Sequence, residues 1–537
     1  MLLALAVEGV GGEAREGQLA MAAATLHAME SGEHLLVQAG TGTGKSLAYL
    51  VPAIRHAVSD AQPKPANAES GAGRARLAGS DELPPSRGPV VVATATIALQ
   101  RQLVERDLPL LIKSLTPALP HPPTFAILKG RRNYLCLQRF HAGPDDEQDG
   151  LFEGDGEDPS TRAPSGPSMG PSSALGREIV RVGQWAARTD TGDRDELIPG
   201  VTERVWGQFA VSSRECLGAT NCPYGADCFA ESAKMRAMRA DVVVTNHALL
   251  AIDALSEVDV LPEHDVVVID EGHELVDRVT GVATEELTGG IVERAANRCQ
   301  RLAPEEAAQL AEAAAGLTDI LSGAPVGRLS PLPSALAEVL ALVRDAARLT
   351  TGAMASADAG TRPLGDEDAA DAEVVRRQAR VAVEAVFDTA QRILADSEHD
   401  VIWAASEERR GVVLRVAPLN VAGLLRDALF SQRTVVLTSA TLTLGGSFDP
   451  IAAGLGLAVA VESSEGQATD AMRWRGLDVG SPFDHARQGI LYVAKHLPAP
   501  GRDGLAAATL TELAELIEAA GGRTLGLFSS MRAAVEA

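Results

Sequence analysis

Five apolar runs recur along the chain, each ending in small, hydroxyl-bearing or acidic residues: HLLVQAG at 34, PVVVATAT at 89, DVVVTN at 241, DVVVID at 265 and TVVLTSAT at 434. Continuous Val/Leu runs of this length predict strands buried on both faces, as in a parallel sheet covered by helices. The pattern is therefore α/β. Between these strands lie two long insertions, one with four cysteines at about 126–235 and one rich in Ala, Glu and Arg at about 275–400. The second carries helix signals: Pro304 followed by Glu305 and Glu306, and VVRRQARVAVEAVFDTAQRIL with apolar residues three and four apart. Pro/Ser/Gly-rich stretches at 60–88 and 353–366 predict loops. From about 445 the pattern restarts, with a strand expected at ILYVA, a helix at AAATLTELAELIEAAGG and a strand at RTLGLFSS.

A length of 537 residues suits three or four domains. The opening MLLALAVEGVGG has no basic leader, and no stretch approaches the roughly 18 apolar residues of a membrane span. A cytoplasmic protein with no membrane partner is expected. The net charge of −24 argues at first against nucleic acid. Its distribution weakens that argument, because eight acids fall between Asp145 and Asp158 in a Gly/Pro/Ser-rich stretch running to about Ser173, read as a solvated insertion.

The segment Ala39, Gly40, Thr41, Gly42, Thr43, Gly44, Lys45, Ser46 fits the phosphate-loop pattern, with alanine at the first glycine position. Its glycines let backbone N–H groups turn around phosphate oxygens at a helix N-terminus. Lys45 would reach the outer phosphates of ATP and Ser46 would ligate Mg²⁺. At the end of the VVVID strand, Asp270 would hold Mg²⁺ and Glu271 would position or deprotonate the attacking water. Taken alone, the two acids would equally serve to cap the next helix. Taken with the phosphate loop, they define a nucleotide hydrolase.

Cys136, Cys216, Cys222 and Cys228 are spaced C-x79-C-x5-C-x5-C, while Cys299 stands apart as a core residue. Four thiolates suit an iron–sulfide cluster or one Zn²⁺, and reduced thiols packed as small hydrophobes are the third reading.

These motifs, in this order, resemble the iron–sulfur helicases of superfamily 2, and within them the bacterial DinG-type relatives of XPD. Arg15 and Gln18 in AREGQLAM resemble the adenine-reading element. ATATIALQRQL resembles the segment that contacts the DNA backbone, through Thr94, Thr96 and Gln100. VVVTNHALL resembles the stretch ahead of the DEAH box, which here reads Asp270, Glu271, Gly272, His273, with His273 among the catalytic residues. LTSATLT resembles the coupling motif, through Ser439 and Thr441; GSPFD and GGRTLGLFSS resemble the opening of the second motor lobe.

The resemblance implies a 4Fe–4S cluster on the four cysteines. It also implies a strand-parting wedge beside it, where Arg131, Arg132 and Tyr134, with Lys129, would meet DNA; read from the residues alone, such a charge run is equally a solvated face. It implies an ATP- and Mg²⁺-dependent DNA helicase unwinding 5′ to 3′ on single-stranded, forked or R-loop DNA. The division it implies is a RecA-like motor at 1–125, an iron–sulfur domain at 126–235, motor again at 236–274, a helical arch at 275–400, motor at 401–444 and an incomplete second RecA-like lobe at 445–537. No counterpart of the family's Gln-rich, double-arginine element follows LTSATLT. A C-terminally truncated chain that binds nucleotide and hydrolyses it weakly is therefore expected. Two alternatives are a noncatalytic iron–sulfur DNA-binding protein and an ATP-driven remodeller of R-loops or protein–DNA complexes.

Overall fold

A computed structural model describes residues 1–59, 88–142, 174–213, 215–256, 260–358, 366–407, 410–457, 472–499 and 504–537. The acidic run at 145–158 and the loop stretches at 60–87 and 359–365 lie outside the described residues. The strands are β1 (His34–Gln38), β2 (Val90–Thr94), β3 (Phe125–Ile127), β4 (Val242–Asn246), β5 (Val266–Asp270), β6 (Glu285–Leu287), β7 (Gly327–Arg328), β8 (Asp400–Glu407), β9 (Gly411–Pro418), β10 (Thr434–Ser439) and β11 (Trp474–Asp478).

All five apolar runs form strands of one seven-stranded sheet, ordered β11-β1-β10-β5-β2-β4-β3, with every pairing parallel. Side chains alternate between two cores. Val90 and Val92 face one, with the helices Glu16–Ser31, Lys45–Val58 and Leu108–Leu115; Val91 and Ala93 face the other, with the helices Phe229–Met238 and His247–Leu255. Both faces are thus dry, which is why these strands read as apolar runs whose polar residues fall at or next to their ends. The apolar start of the chain forms the helix Leu2–Gly9 and buries Leu3, Ala6 and Val7 in the first core. Among the described residues, no helix is long and apolar enough to cross a membrane.

The second insertion is helical as expected, with helices Gly289–Cys299, Pro304–Ser322, Ser334–Asp358 and Asp366–Leu394 around their own core. The expected loop at 353–366 is shorter than its composition implied, since helix occupies 353–358 and resumes at Asp366. The insertion also holds an antiparallel sheet, β6-β9-β8-β7. Residues 401–418, expected in the motor, lie in that sheet, while β11, expected in the second lobe, pairs with β1 at the edge of the motor sheet.

The chain divides into two compact units, Met1–Pro482 and Phe483–Ala537. The second holds the helices His485–Gln488, Ala507–Ala519 and Met531–Glu536. The strands expected at ILYVA and RTLGLFSS do not form there, and Ile490, Leu491, Leu525 and Leu527 are 97%, 90%, 85% and 88% exposed. A strand is held by a hydrogen-bonded neighbour. Among the described residues of this unit, neither run has one.

Candidate functional site

The carboxyl ends of β1, β10 and β5 lie side by side, and the loops leaving them form the site. This is where ligands bind in open parallel sheets. After β1 the chain turns through Ala39–Ser46 into the helix Lys45–Val58. Gly42 and Gly44 take φ of 81° and 82°, the left-handed region that glycine enters without strain. A Cβ on Gly44 would lie 2.3 Å from Gln18 Nε2, so the loop also needs glycine for close packing. Thr43 Oγ1 donates to the Gly40 carbonyl at 2.6 Å, closing the turn.

Four residues from three separate motifs meet here. Lys45 Nζ donates to Glu271 Oε1 at 2.8 Å. Ser439 Oγ donates to the other oxygen of Glu271 at 3.2 Å, and His273 Nδ1 lies 2.7 Å from Ser439 Oγ. Asp270 beside them is 4% exposed, and burial pushes its carboxyl above the usual carboxylate range, with Lys45 opposing. Its Oδ1 accepts from the Glu271 N–H at 3.0 Å. Glu271 has φ of 53°, an unusual left-handed value for a residue with a side chain. Two carboxylates adjacent at a buried strand end repel unless cations sit close, and Lys45 supplies one.

Gln18 is 3% exposed; its Nε2 donates to the Gly44 carbonyl at 3.2 Å and its Oε1 has no partner among the described residues. Arg15 is exposed at the start of the same helix. Thr441 is exposed as well, and only its backbone N–H reaches Ser439 Oγ, at 3.4 Å.

Gln38, Tyr49 and His247 also belong to this site; Gln38 and Tyr49 carry no sequence signal, while His247 lies in the VVVTNHALL stretch. Gln38 Oε1 accepts from the N–H groups of Leu442 and Thr443, at 2.8 Å each, and its Nε2 donates to Asp478 Oδ2 at 2.8 Å. The Gly40 N–H donates to the Gly480 carbonyl at 3.0 Å. The phosphate loop is thereby tied to the segment after LTSAT and to the GSP turn after β11. His247 is 1% exposed, with Nε2 2.8 Å from the Asp270 carbonyl, and burial lowers its pKa to about 4. A neutral ring donating there is consistent with that depression.

In the first insertion the four cysteines line one cleft, partly open to solvent. Cys136 precedes the helix Leu137–Ala142, and Cys228 caps the helix Phe229–Met238. Between Cys216 and Cys228 the chain folds so tightly that a Cβ on Gly225 would lie 2.0 Å from the Ala219 carbonyl oxygen. Burial pushes the Cys136 and Cys222 thiols up. The Arg131 guanidinium donates to Cys216 Sγ at 3.5 Å and pairs with Glu231. Among the described residues, no three Cys, His, Asp or Glu side chains are grouped to hold a single metal ion. Cys299 is buried in the helical insertion, far along the chain from this cleft, and burial raises its pKa to about 11.

The expected DNA contacts divide. Thr96 and Arg132 are exposed and Arg131 is half-buried. Tyr134 is 3% exposed, with its hydroxyl accepting from the Lys129 N–H, so its ring is not presented to a base. Thr94 and Gln100 are 0% exposed, on the sheet side of the segment leaving β2. Lys129 is not a free cation: its Nζ pairs with Asp193 Oδ2 at 2.6 Å and Asp195 Oδ2 at 2.7 Å, inside the protein.

A parallel sheet with a glycine loop, its lysine and an acid pair at the carboxyl edge defines a P-loop ATPase motor of the RecA-like class. Comparison with known proteins narrows this. Residues 18–114 match the DEAD/DEAH box helicase family model. The chain is 50% identical over 551 residues to the ATP-dependent helicase DinG of Mycobacterium tuberculosis, covering 99% of this chain and 74% of that one. It is 28% identical over 558 residues to the ATP-dependent DNA helicase YoaA of Escherichia coli, covering 98% and 73%. A solved XPD helicase aligns with a TM-score of 0.44 at 12% identity, over 94% of this chain and 70% of that chain. The chain belongs to the DinG family of ATP-dependent helicases.

Proposed function

We propose that this chain is an ATP- and Mg²⁺-dependent DNA helicase motor whose first lobe binds and hydrolyses the nucleotide. The carrying observation is the single hydrogen-bonded set of Lys45, Glu271, Ser439 and His273 at the ends of β1, β5 and β10. The phosphate-loop N–H groups and Lys45 receive the phosphates, and Gln18 Oε1 offers a buried acceptor to the adenine amine. Ser46 and Asp270 are the residues that would hold Mg²⁺, whose charge would offset that of the phosphates. Their oxygen donors suit that ion. Glu271, released from Lys45 by the phosphates, accepts a proton from the attacking water. Ser439 and His273 sense which partner Glu271 has, and the ties from Gln38 carry that state to the segments after LTSAT and β11. The intact set favours an active motor over a noncatalytic DNA-binding protein.

Cys136, Cys216, Cys222 and Cys228 would hold a 4Fe–4S cluster, because four thiols arranged around a hollow suit a cluster that bonds outward to them. Bound there, the cluster would cross-link the ends of a 93-residue insertion, from Cys136 to Cys228. Exposed Thr96 and Arg132 would contact the backbone of single-stranded DNA, with forked and R-loop duplexes as substrates and movement 5′ to 3′.

In Glu271→Gln we expect DNA-stimulated ATP hydrolysis to fall by roughly 10²–10⁴-fold while binding of a fluorescent ATP analogue persists. Hydrolysis at the wild-type rate overturns the assignment. Iron and acid-labile sulfide should be found in anaerobically purified protein; zinc without iron rules out the cluster.

A further inference from the structure

Tyr49 lies one turn into the helix that follows the phosphate loop, in LAYLVPAI, where an aromatic reads as a core side chain. Its ring is 0% exposed. A buried phenol keeps its place only if the hydroxyl finds a partner; otherwise phenylalanine fills the same volume without desolvating a polar group. The partner here is Asp270, whose Oδ2 accepts from the Tyr49 hydroxyl at 3.0 Å. The other oxygen of Asp270 is held by the Glu271 N–H.

Ser46 and Asp270 come from elements that do not pair. β10 stands between β1 and β5, so backbone hydrogen bonds do not join the phosphate-loop strand directly to the strand carrying Asp270. The Tyr49 hydroxyl, on the helix that also carries Ser46, reaches Asp270 directly. We infer that Tyr49 is a positioning residue for the magnesium site, fixing the Asp270 carboxylate against the helix that carries Ser46 before the nucleotide arrives; this rests on the functional reading above. Groups that orient metal ligands from behind typically change metal affinity by about 10–100-fold when removed.

Tyr49→Phe removes the hydroxyl and keeps the ring. The measurement is the affinity of the 537-residue chain for a fluorescent, non-hydrolysable ATP analogue, in EDTA and in excess Mg²⁺, together with the thermal midpoint. Ser46→Ala serves for comparison. We expect the affinity in EDTA to stay within about twofold of wild type and the gain on adding Mg²⁺ to shrink about tenfold, as in Ser46→Ala. A Mg²⁺-dependent gain equal to that of wild type overturns the inference. So does an equal loss in EDTA and in Mg²⁺ with a lowered midpoint, which marks a purely structural role. A wild-type chain with no gain from Mg²⁺ removes the functional reading itself, and the inference with it.

Discussion

Gly272 stands where the resembling DEAH boxes carry alanine, and Leu437 supplies the reason. A Cβ built on Gly272 would lie 2.2 Å from Leu437 Cγ and 2.4 Å from its Cδ2. The glycine and the leucine of LTSAT are fitted to each other. Gly272→Ala should therefore destabilise the motor by about 1–3 kcal/mol, and adding Leu437→Ala should recover part of that loss; thermal denaturation of the single and double variants decides it. His34 offers a second test. Its Nδ1 accepts from the Val435 N–H at 3.2 Å, and burial, slightly opposed by Glu33, lowers its pKa from 6.5 to about 4. Between those values the unfolded chain holds the extra proton and the folded chain does not. The stability is complete above pH 6.5 and is lost as pH falls toward 4, the loss reaching about 2 kcal/mol at pH 5. His34→Asn keeps an acceptor without titrating, so its midpoint should fall less than that of wild type between pH 7 and pH 5. At this scale the sequence disclosed residues whose chemistry is bound to a motif, such as Lys45 and Asp270. It could not disclose Tyr49 or Gln38, whose meaning lies in partners 221 and 404 or more residues away.

At the scale of elements, the motor strands were legible because both faces are covered, so each reads as an unbroken apolar run. β8 and β9 were assigned to the motor, yet VIWAAS alternates buried and half-buried positions, as suits an antiparallel sheet with one face covered. β11 escaped notice because an edge strand needs no such run; WRGLD has half-buried and exposed positions only. In the basic cluster at 129–132, charge along the sequence likewise does not show what lies opposite: Lys129 is paired inside the protein, whereas Arg132 is exposed. Lys129 joins the segment after β3 to the turn at 193–195. Lys129→Ala would leave the buried Asp193 carboxylate facing the half-buried Asp195 and should cost about 3–5 kcal/mol. Adding Asp193→Asn should restore much of it, as read from urea unfolding of the single and double variants.

For the whole molecule, the net charge of −24 is the sum of a distribution and says little about any one surface. The site, both sheets and the cysteine cleft lie within Met1–Pro482. On the proposed function, the ion pair between Lys45 and Glu271 would set the order of events across that unit. Glu271, the proposed base, has its negative charge answered by the same lysine that would receive the phosphates. Nucleotide must trade partners with it, giving up some affinity to do so. In return, the carboxylate is freed only by the molecule it acts on. A motor so built would stay idle until nucleotide is seated.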